Sequence, residues 1–253
     1  MDKFTIKKSL GQHFLKDATI IAKIIDAVKE DPFTNLLEVG PGGGAITKDL
    51  IKIPNVHFKA VELDQDKVAY LNKTYPSLQG NIIHQSFLDI DPPFDGQPFT
   101  LVGNFPYNIS TQILFKVLEW RDQVPVVIGM FQKEVAQRAA SKEGSKVYGV
   151  LSVLVQAYYD VEYLFDVSND CFNPPPKVQS GVIRLKRRTT ELTVKSERYF
   201  WILVKTAFNQ RRKTLRNALK SQFTPEELQD KLFDRRAETL SVDEFAALTF
   251  RMI

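Results

Sequence analysis

The stretch Leu36-Leu37-Glu38-Val39-Gly40-Pro41-Gly42-Gly43-Gly44 decides the reading of this chain. Leu36 to Val39 has the look of a short buried strand, the glycine-rich turn follows at once, and Ala45 to Ile51 then reads as a helix. Backbone N–H groups in such a turn can approach a ligand closely, because no Cβ stands in the way. A second strand, Phe58 to Val61, ends at Glu62-Leu63-Asp64. Glu62 lies 22 positions after Gly40, where a carboxylate can accept hydrogen bonds from both hydroxyls of a ribose. Two cofactor classes compete for this arrangement. A nicotinamide dinucleotide would want G-x-G-x-x-G, and Ile46 rather than glycine stands three places on from Gly43. A nucleoside cofactor without a pyrophosphate, of the kind methyltransferases use, does not need the third glycine.

Upstream of the turn, Asp17 precedes Ile20, Ile21, Ile24, Ile25 and Val28, the spacing of one face of a capped helix. Downstream, strand candidates recur at Ile82–His84, Thr100–Val102, Val126–Met130, Tyr158–Val167 and Val178–Leu185, with helix patterns between most of them. Strands alternating with helices predict an α/β doubly wound, parallel-rich sheet whose ligands bind at the carboxyl ends of the strands. After Leu185 the alternation stops, and Lys186-Arg187-Arg188-Thr189-Thr190 reads as a linker. Phe200, Leu203, Val204, Ala207, Phe208, Leu215 and Leu219 then make one apolar stripe, and Thr224-Pro225-Glu226-Glu227 and Ser241-Val242-Asp243-Glu244 both read as capping boxes. The expected organisation is a catalytic domain over 1–187 and a small helical domain over 188–253. The polar segment Ser141–Tyr148 reads as a mobile loop.

The pentapeptide Gly103-Asn104-Phe105-Pro106-Tyr107 follows a strand and carries the chemistry. An adenine amine is a poor nucleophile because its lone pair is delocalised into the ring. If the Asn104 side-chain oxygen and the Phe105 backbone carbonyl accept its two N–H bonds, the nitrogen is drawn towards tetrahedral geometry and the lone pair is freed. Pro106 fixes the turn and has no N–H, so the preceding carbonyl can face a substrate. Tyr107 can stack on the base, a contact worth about 1–3 kcal/mol. The same turn could end a strand with a buried tyrosine and nothing more, but its place in a sheet that already has a cofactor loop favours the catalytic reading. Phe172, ahead of the stiff Pro174-Pro175-Pro176, is a candidate for the second face of a flipped base, with a core position as the alternative. Methylation at cytosine C5 is disfavoured, since it needs a cysteine nucleophile in this loop and there is none. Cys171 reads as a reduced bystander.

Composition bounds these readings. The chain has 253 residues, 43% hydrophobic and 25% charged, as an ordinary folded protein does. No apolar run approaches the roughly 20 residues of a membrane helix, and the N-terminus has no hydrophobic stretch behind its lysines, so a cytoplasmic protein is expected. With one cysteine and with histidines at 13, 57 and 84 in no ligand spacing, neither a disulfide nor a metal is expected. Residues 1–185 carry 19 Lys and Arg against 21 Asp and Glu, whereas residues 186–253 carry 15 against 9. A basic tail suggests a polyanion docking partly there, and Lys205, Arg211, Arg212, Lys213, Arg216 and Lys220, with no intervening acid, are the candidates.

At these positions the sequence resembles the ribosomal RNA adenine dimethyltransferase family over nearly its whole length. The resemblance rests on Ser9-Leu10-Gly11-Gln12-His13-Phe14-Leu15, Glu38-Val39-Gly40-Pro41-Gly42, Val61-Glu62-Leu63-Asp64, and Gly103 to Thr111. It extends through Gln132-Lys133-Glu134-Val135-Ala136, Pro176-Lys177-Val178-Gln179-Ser180 and Phe208 to Leu215. It implies a class I, Rossmann-like methyltransferase fold with a small helical C-terminal domain. S-adenosylmethionine is the implied cofactor, and two adjacent adenosines near the 3′ end of 16S rRNA, within the small ribosomal subunit or its precursor, are the implied substrate. It also implies that His13, Leu15, Gly40, Glu62, residue 86 and Asn104 line the cofactor site. The family usually has an acid where this chain has Ser86, so Ser86 is expected to meet the cofactor's adenine through a hydroxyl. Two other readings remain: a large-subunit rRNA adenine dimethyltransferase of the macrolide-resistance type, and a non-catalytic ribosome-assembly factor with the same fold.

Overall fold

A computed structural model describes residues 13–253. Ser9 to Gln12, part of the family-like N-terminal string, lie outside the described residues.

In chain order the elements are β1 (Phe14–Leu15), α1 (Ala18–Lys29), β2 (Asn35–Val39), α2 (Thr47–Leu50), β3 (His57–Glu62), α3 (Gln65–Thr74), β4 (Ile82–His84) and β5 (Thr100–Asn104). They continue with α4 (Ser110–Glu119), β6 (Val126–Gln132), α5 (Lys133–Ala140), α6 (Val150–Gln156), β7 (Tyr159–Val167), β8 (Phe172–Asn173) and β9 (Ser180–Arg187). The last are α7 (Glu197–Asn209), α8 (Leu215–Ala218) and α9 (Val242–Leu248). Seven strands form one sheet in the order β4-β3-β2-β5-β6-β9-β7. The pairs from β4 to β6 are parallel, and β9 runs antiparallel to β6. The central strands β2 and β5 to β6 are apolar on both faces and almost wholly buried, as a sheet covered on both sides requires.

α1 starts where Asp17 accepts the Thr19 and Ile20 backbone N–H groups and buries Ile20, Ile21, Ile24, Ile25 and Val28 against the core. The glycine turn is longer than the sequence suggested. Gly40, Gly42 and Gly44 all have positive φ, so the chain stays irregular to Ile46 and the helix expected over 45–51 is the single turn α2. Gly103 and Gly129 are required by close approach: a Cβ on the first would lie 2.7 Å from the Val39 carbonyl, and on the second 2.5 Å from the Phe105 ring. Their bareness seats Phe105 against Phe131, with ring centroids 4.8 Å apart.

Contacts divide the chain into two compact units, one of residues 13–136 with Glu162–Arg187, the other of Gln137–Val161 with Arg188–Ile253. The break expected after 187 is one of the crossings between them, while residues 137–161 group with the C-terminal segment rather than with 1–187. In this second unit the expected apolar stripe is split between α7 and α8 by a turn over 210–214, and Phe200, Leu203, Val204 and Leu215 are fully buried. Ser141–Tyr148, expected to be mobile, is tied at both ends: Ser141 Oγ bonds to Ser152 Oγ, Gly144 N–H donates to the Glu238 carbonyl, and Tyr148 is fully buried beside Phe208. Of the two expected capping boxes, Ser241 and Glu244 form both halves. At Thr224 only the hydroxyl half forms, because the Glu227 carboxylate is turned to Arg251.

Candidate active site

The carboxyl ends of β2, β3 and β5 open onto a cavity of about 700 Å³, a size usual for a small-molecule site. His13, Leu15, Gly40, Glu62, Ser86, Asn104, Phe105, Pro106 and Tyr107 all line it, although they come from five separate segments.

Glu62 ends β3 and is buried. Its Oε2 accepts the Gly42 N–H at 3.0 Å and its Oε1 accepts the Asp64 N–H at 2.9 Å, so one carboxylate ties the glycine turn to the end of the next strand. Burial raises the pKa of this carboxyl, against the lowering effect of those two N–H bonds. Each oxygen keeps a second acceptor site, and a ribose offers two donors. Beside it Leu63, 53% exposed, presents an apolar side chain to the cavity. The sequence reading overlooked Leu63; the signal was an apolar residue directly after the strand-ending acid, where the strand has left the core. These features fit a nucleoside cofactor: a glycine turn whose bare backbone lets a ligand approach closely, a buried carboxylate with spare acceptor capacity, and an apolar surface for a base.

Ser86 lines the cavity, and its Oγ accepts the Leu88 N–H at 3.2 Å. Asp89, the nearest acid in that loop, is exposed and is not among the lining residues. A carboxylate accepting an adenine amine is worth about 1.5–3 kcal/mol against about 0.5–1.5 for a neutral hydroxyl. Ser86→Asp is therefore expected to tighten S-adenosylmethionine binding by about tenfold, with Asp89→Asn near the wild type; calorimetric titration of both variants checks this.

Glu38, inside β2, also reaches the cavity wall and is buried, and its Oε2 and the Thr47 hydroxyl have no well-formed hydrogen bond among the described residues. Burial pushes its carboxyl up to about 8; the nearby Thr47 hydroxyl opposes the rise and the Glu62 carboxylate adds to it. Between about 4.5, where the unfolded chain gives up this proton, and about 8 the folded state binds the proton more tightly. Stability is thus lost as pH rises through that window, by at most about 1.4 kcal/mol per pH unit from this group. Glu38→Gln is expected to flatten the fall in melting temperature between pH 5 and 8.

Asn104 ends β5, and its Nδ2 donates to the His13 carbonyl at 3.1 Å. A carbonyl can only accept, so the amide group facing it must be the NH2, and Oδ1 is left as an acceptor. His13 is held in turn by Nδ1 against the Pro174 carbonyl at 2.9 Å, and its ring stacks on Tyr107 at 5.6 Å and 29°. The Tyr107 hydroxyl meets Ser180 Oγ at 2.5 Å, and Ser180 is fully buried at the start of β9. Burial, opposed by that bond, raises the Tyr107 pKa, so the phenol is neutral. Nothing in the spacing of the sequence pairs position 107 with 180; the antiparallel register that sets Ser180 opposite Gln132 brings them together.

Phe172 departs from its expected role. It is fully buried in the core cluster with Leu15 and Ile20, pairs with Leu15 across the β1–β8 ladder, and is not among the cavity residues, so its ring has no face to offer a base. It supports the segment that carries His13. The basic candidates lie in the other unit and differ among themselves. Arg211 donates to the Lys146 carbonyl at 2.5 Å and Arg216 pairs with Asp234 at 2.8 Å, while Arg212 and Lys213 are exposed. Arg211, Arg212 and Lys213 sit in the turn between α7 and α8, Lys205 lies within α7, Arg216 within α8, and Lys220 just past it. Among the described residues no cluster of side chains could hold a metal, and no helix is long and apolar enough to cross a membrane.

A seven-stranded sheet in this order, with a glycine turn after β2, a carboxylate ending β3 and an Asn-Phe-Pro-Tyr turn beginning at the end of β5, has the Rossmann-like fold. The family model described as ribosomal RNA adenine dimethylase matches residues 3–251, and the chain belongs to that family. It is 51% identical over 253 residues to the ribosomal RNA small subunit methyltransferase A of Cytophaga hutchinsonii, covering 98% of each chain. It is 53% identical to the protein of the same name from Bacteroides thetaiotaomicron, covering 96% of this chain and 92% of the other. Among solved structures, a dimethyladenosine transferase from Plasmodium falciparum superposes with a TM-score of 0.77 at 24% identity, covering 92% of this chain and 94% of that one. At that identity the likeness speaks for the fold.

Proposed function

We propose that this protein transfers methyl groups from S-adenosylmethionine to N6 of two adjacent adenosines near the 3′ end of 16S rRNA, giving N6,N6-dimethyladenosine, in the cytoplasm during small-subunit biogenesis. The observation that carries the reading is the Asn104 amide. Its NH2 is spent on the His13 carbonyl, and its oxygen is left over a cavity that fits a nucleoside cofactor. When bound, S-adenosylmethionine supplies an electrophilic methyl group on a sulfonium. Asn104 Oδ1 and the Phe105 carbonyl accept the two N–H bonds of the adenine amine and localise its lone pair. The Pro106 and Tyr107 carbonyls are already used by the Ile109 N–H and the Ser110 hydroxyl, which reserves that of Phe105 for the substrate. Tyr107, backed by His13, stacks on the flipped base. Glu62 holds the ribose and the Gly40–Gly44 cradle the rest of the cofactor, with Leu63 and Ser86 at its base. Residues 188–253 contribute RNA contacts, with Arg212 and Lys213 the side chains placed to meet phosphates.

Small-subunit RNA is favoured over large-subunit RNA by the names of relatives about half identical over nearly their full length. The intact Asn104 to Tyr107 site argues against a purely binding role in ribosome assembly. The test is to map dimethyladenosine in both ribosomal RNAs from a strain lacking the gene and from one complemented with Asn104→Ala. Loss of two adjacent modified adenosines from 16S rRNA, not restored by the variant, is expected. Loss from the large-subunit RNA, or restoration by Asn104→Ala, would overturn the reading.

The Tyr107–Ser180 bond adds an expectation. If the hydroxyl serves to hold the ring, Tyr107→Phe and Ser180→Ala should each lower turnover a few-fold, the double variant should be no worse than either, and Tyr107→Ala should be far more damaging. Turnover measured across this double-mutant cycle checks it.

A further inference from the structure

Residues 173–180 form a ridge bordering the base end of the cavity, since Asn173 at one end lines it and Ser180 at the other holds Tyr107. The ridge is fixed at four points. The Pro174 carbonyl bonds to His13, the Pro176 carbonyl accepts Asn169 Nδ2, the Gln179 carbonyl accepts the Lys133 N–H, and Gln179 Oε1 accepts Lys133 Nζ. Three consecutive prolines stiffen what lies between. A segment anchored in this way could have turned its apolar side chain inward, yet it holds Lys177, Val178 and Gln179 out in solvent, with Val178 45% exposed. Lys177 makes no ion pair or hydrogen bond with the described residues. The acid linked to the ridge through Lys133 has its charge compensated: Asp166 is held by Lys133 Nζ at 2.7 Å and by the Tyr163 hydroxyl, and its carboxyl pKa lies below the usual range for that reason. A free cation beside an exposed aliphatic side chain, on a rigid edge continuous with the base site, matches a nucleic-acid strand, which presents a phosphate and a sugar in alternation.

We propose that Lys177 and Val178 are the docking ridge for the RNA strand that carries the target adenosine, Lys177 meeting a backbone phosphate and Val178 the sugar or base adjoining the inserted one. This rests on the rRNA reading above and adds to it an RNA contact at the catalytic centre, apart from the basic turn at 210–213. It makes this edge a determinant of how the strand lies as the base enters.

The experiment uses the full-length protein with small-subunit particles that carry unmethylated 16S rRNA. Methylation by the wild type is the control for the underlying reading, and its failure would sink that reading rather than this one. Lys177→Ala is compared with Lys177→Arg, with Val178→Ser, and with Lys73→Ala, an exposed lysine in the last turn of α3, away from the carboxyl end of β3. Expected in Lys177→Ala is a three- to tenfold rise in KM for the particle, with unchanged kcat and unchanged KM for S-adenosylmethionine. The slope of log affinity against log salt should become shallower by about 0.7 to 0.9, the loss of one phosphate contact. Lys177→Arg should restore both, Val178→Ser should raise the particle KM without changing the slope, and Lys73→Ala should match the wild type. A particle KM within twofold of the wild type in Lys177→Ala, an unchanged slope, or an equal effect of Lys73→Ala would overturn the proposal.

Discussion

Asn104→Ala is expected to lower methyl transfer by about 10²-fold or more while the melting temperature and cofactor affinity change little, an effect of the size that misplacing a reacting group produces. The side chain is half-buried at the end of β5, and its one hydrogen bond among the described residues is to a backbone carbonyl, so truncation leaves that carbonyl short of one donor and opens no large void. What disappears is the acceptor proposed to draw the amine out of conjugation. Asn104→Asp separates orientation from acceptance: it keeps an oxygen for the substrate but sets a second one against the His13 carbonyl, where two acceptors repel. Both variants should fail, Asn104→Asp with the lower melting temperature. Single-turnover rates at saturating cofactor and substrate check this, and near-normal turnover in Asn104→Ala would remove the basis of the mechanism.

Glu62→Gln is the second substitution with a large expected effect, and here the loss falls on cofactor binding. In the wild type each carboxylate oxygen accepts one backbone N–H, from Gly42 and from Asp64. A glutamine can accept one of them and must turn its own NH2 towards the other, which leaves a buried donor facing a donor. Loss of one charge-assisted bond, with conversion of the other to a neutral one, costs about 1.5–3 kcal/mol, or about ten- to a hundredfold in affinity if it is felt at the binding step. The same change disorders the link between the glycine turn and β3, so a fall in melting temperature should accompany it. Titration calorimetry with S-adenosylmethionine beside a thermal melt tests both; unaltered affinity would mean that Glu62 is structural only.

That the glycine turn and Glu62 would meet at one cavity was readable in the sequence because its determinants are local. A glycine run after a strand, and an acid at the end of the next, are fixed by spacing along the chain, and β2 and β3 lie side by side as a parallel pair. Asn104 to Tyr107 was readable for the same reason. What stayed hidden depends on contacts across distant segments. Ser180 reaches Tyr107 through an antiparallel pairing that no periodicity announces, and the His13 carbonyl finds Asn104 from 91 residues away. Phe172 was misplaced because an aromatic beside prolines looks the same whether it faces a pocket or fills the core behind one. The grouping of residues 137–161 with the C-terminal segment was missed because the composition shift after Leu185 marks one chain crossing, and the other two, after 136 and after 161, leave no mark in composition.

The bond from Asn104 to residue 13 ends on a main-chain carbonyl, and every amino acid has one. The genetic code therefore offers no single substitution at position 13 that deletes this acceptor; a change there alters the ring against Tyr107 and the bond to Pro174, but the amide at 104 keeps its partner as long as the backbone holds its path. The orientation of the Asn104 amide is thereby insulated from the choice of side chain at its neighbour, whereas the ring contacts to Tyr107 and Pro174 depend on that choice.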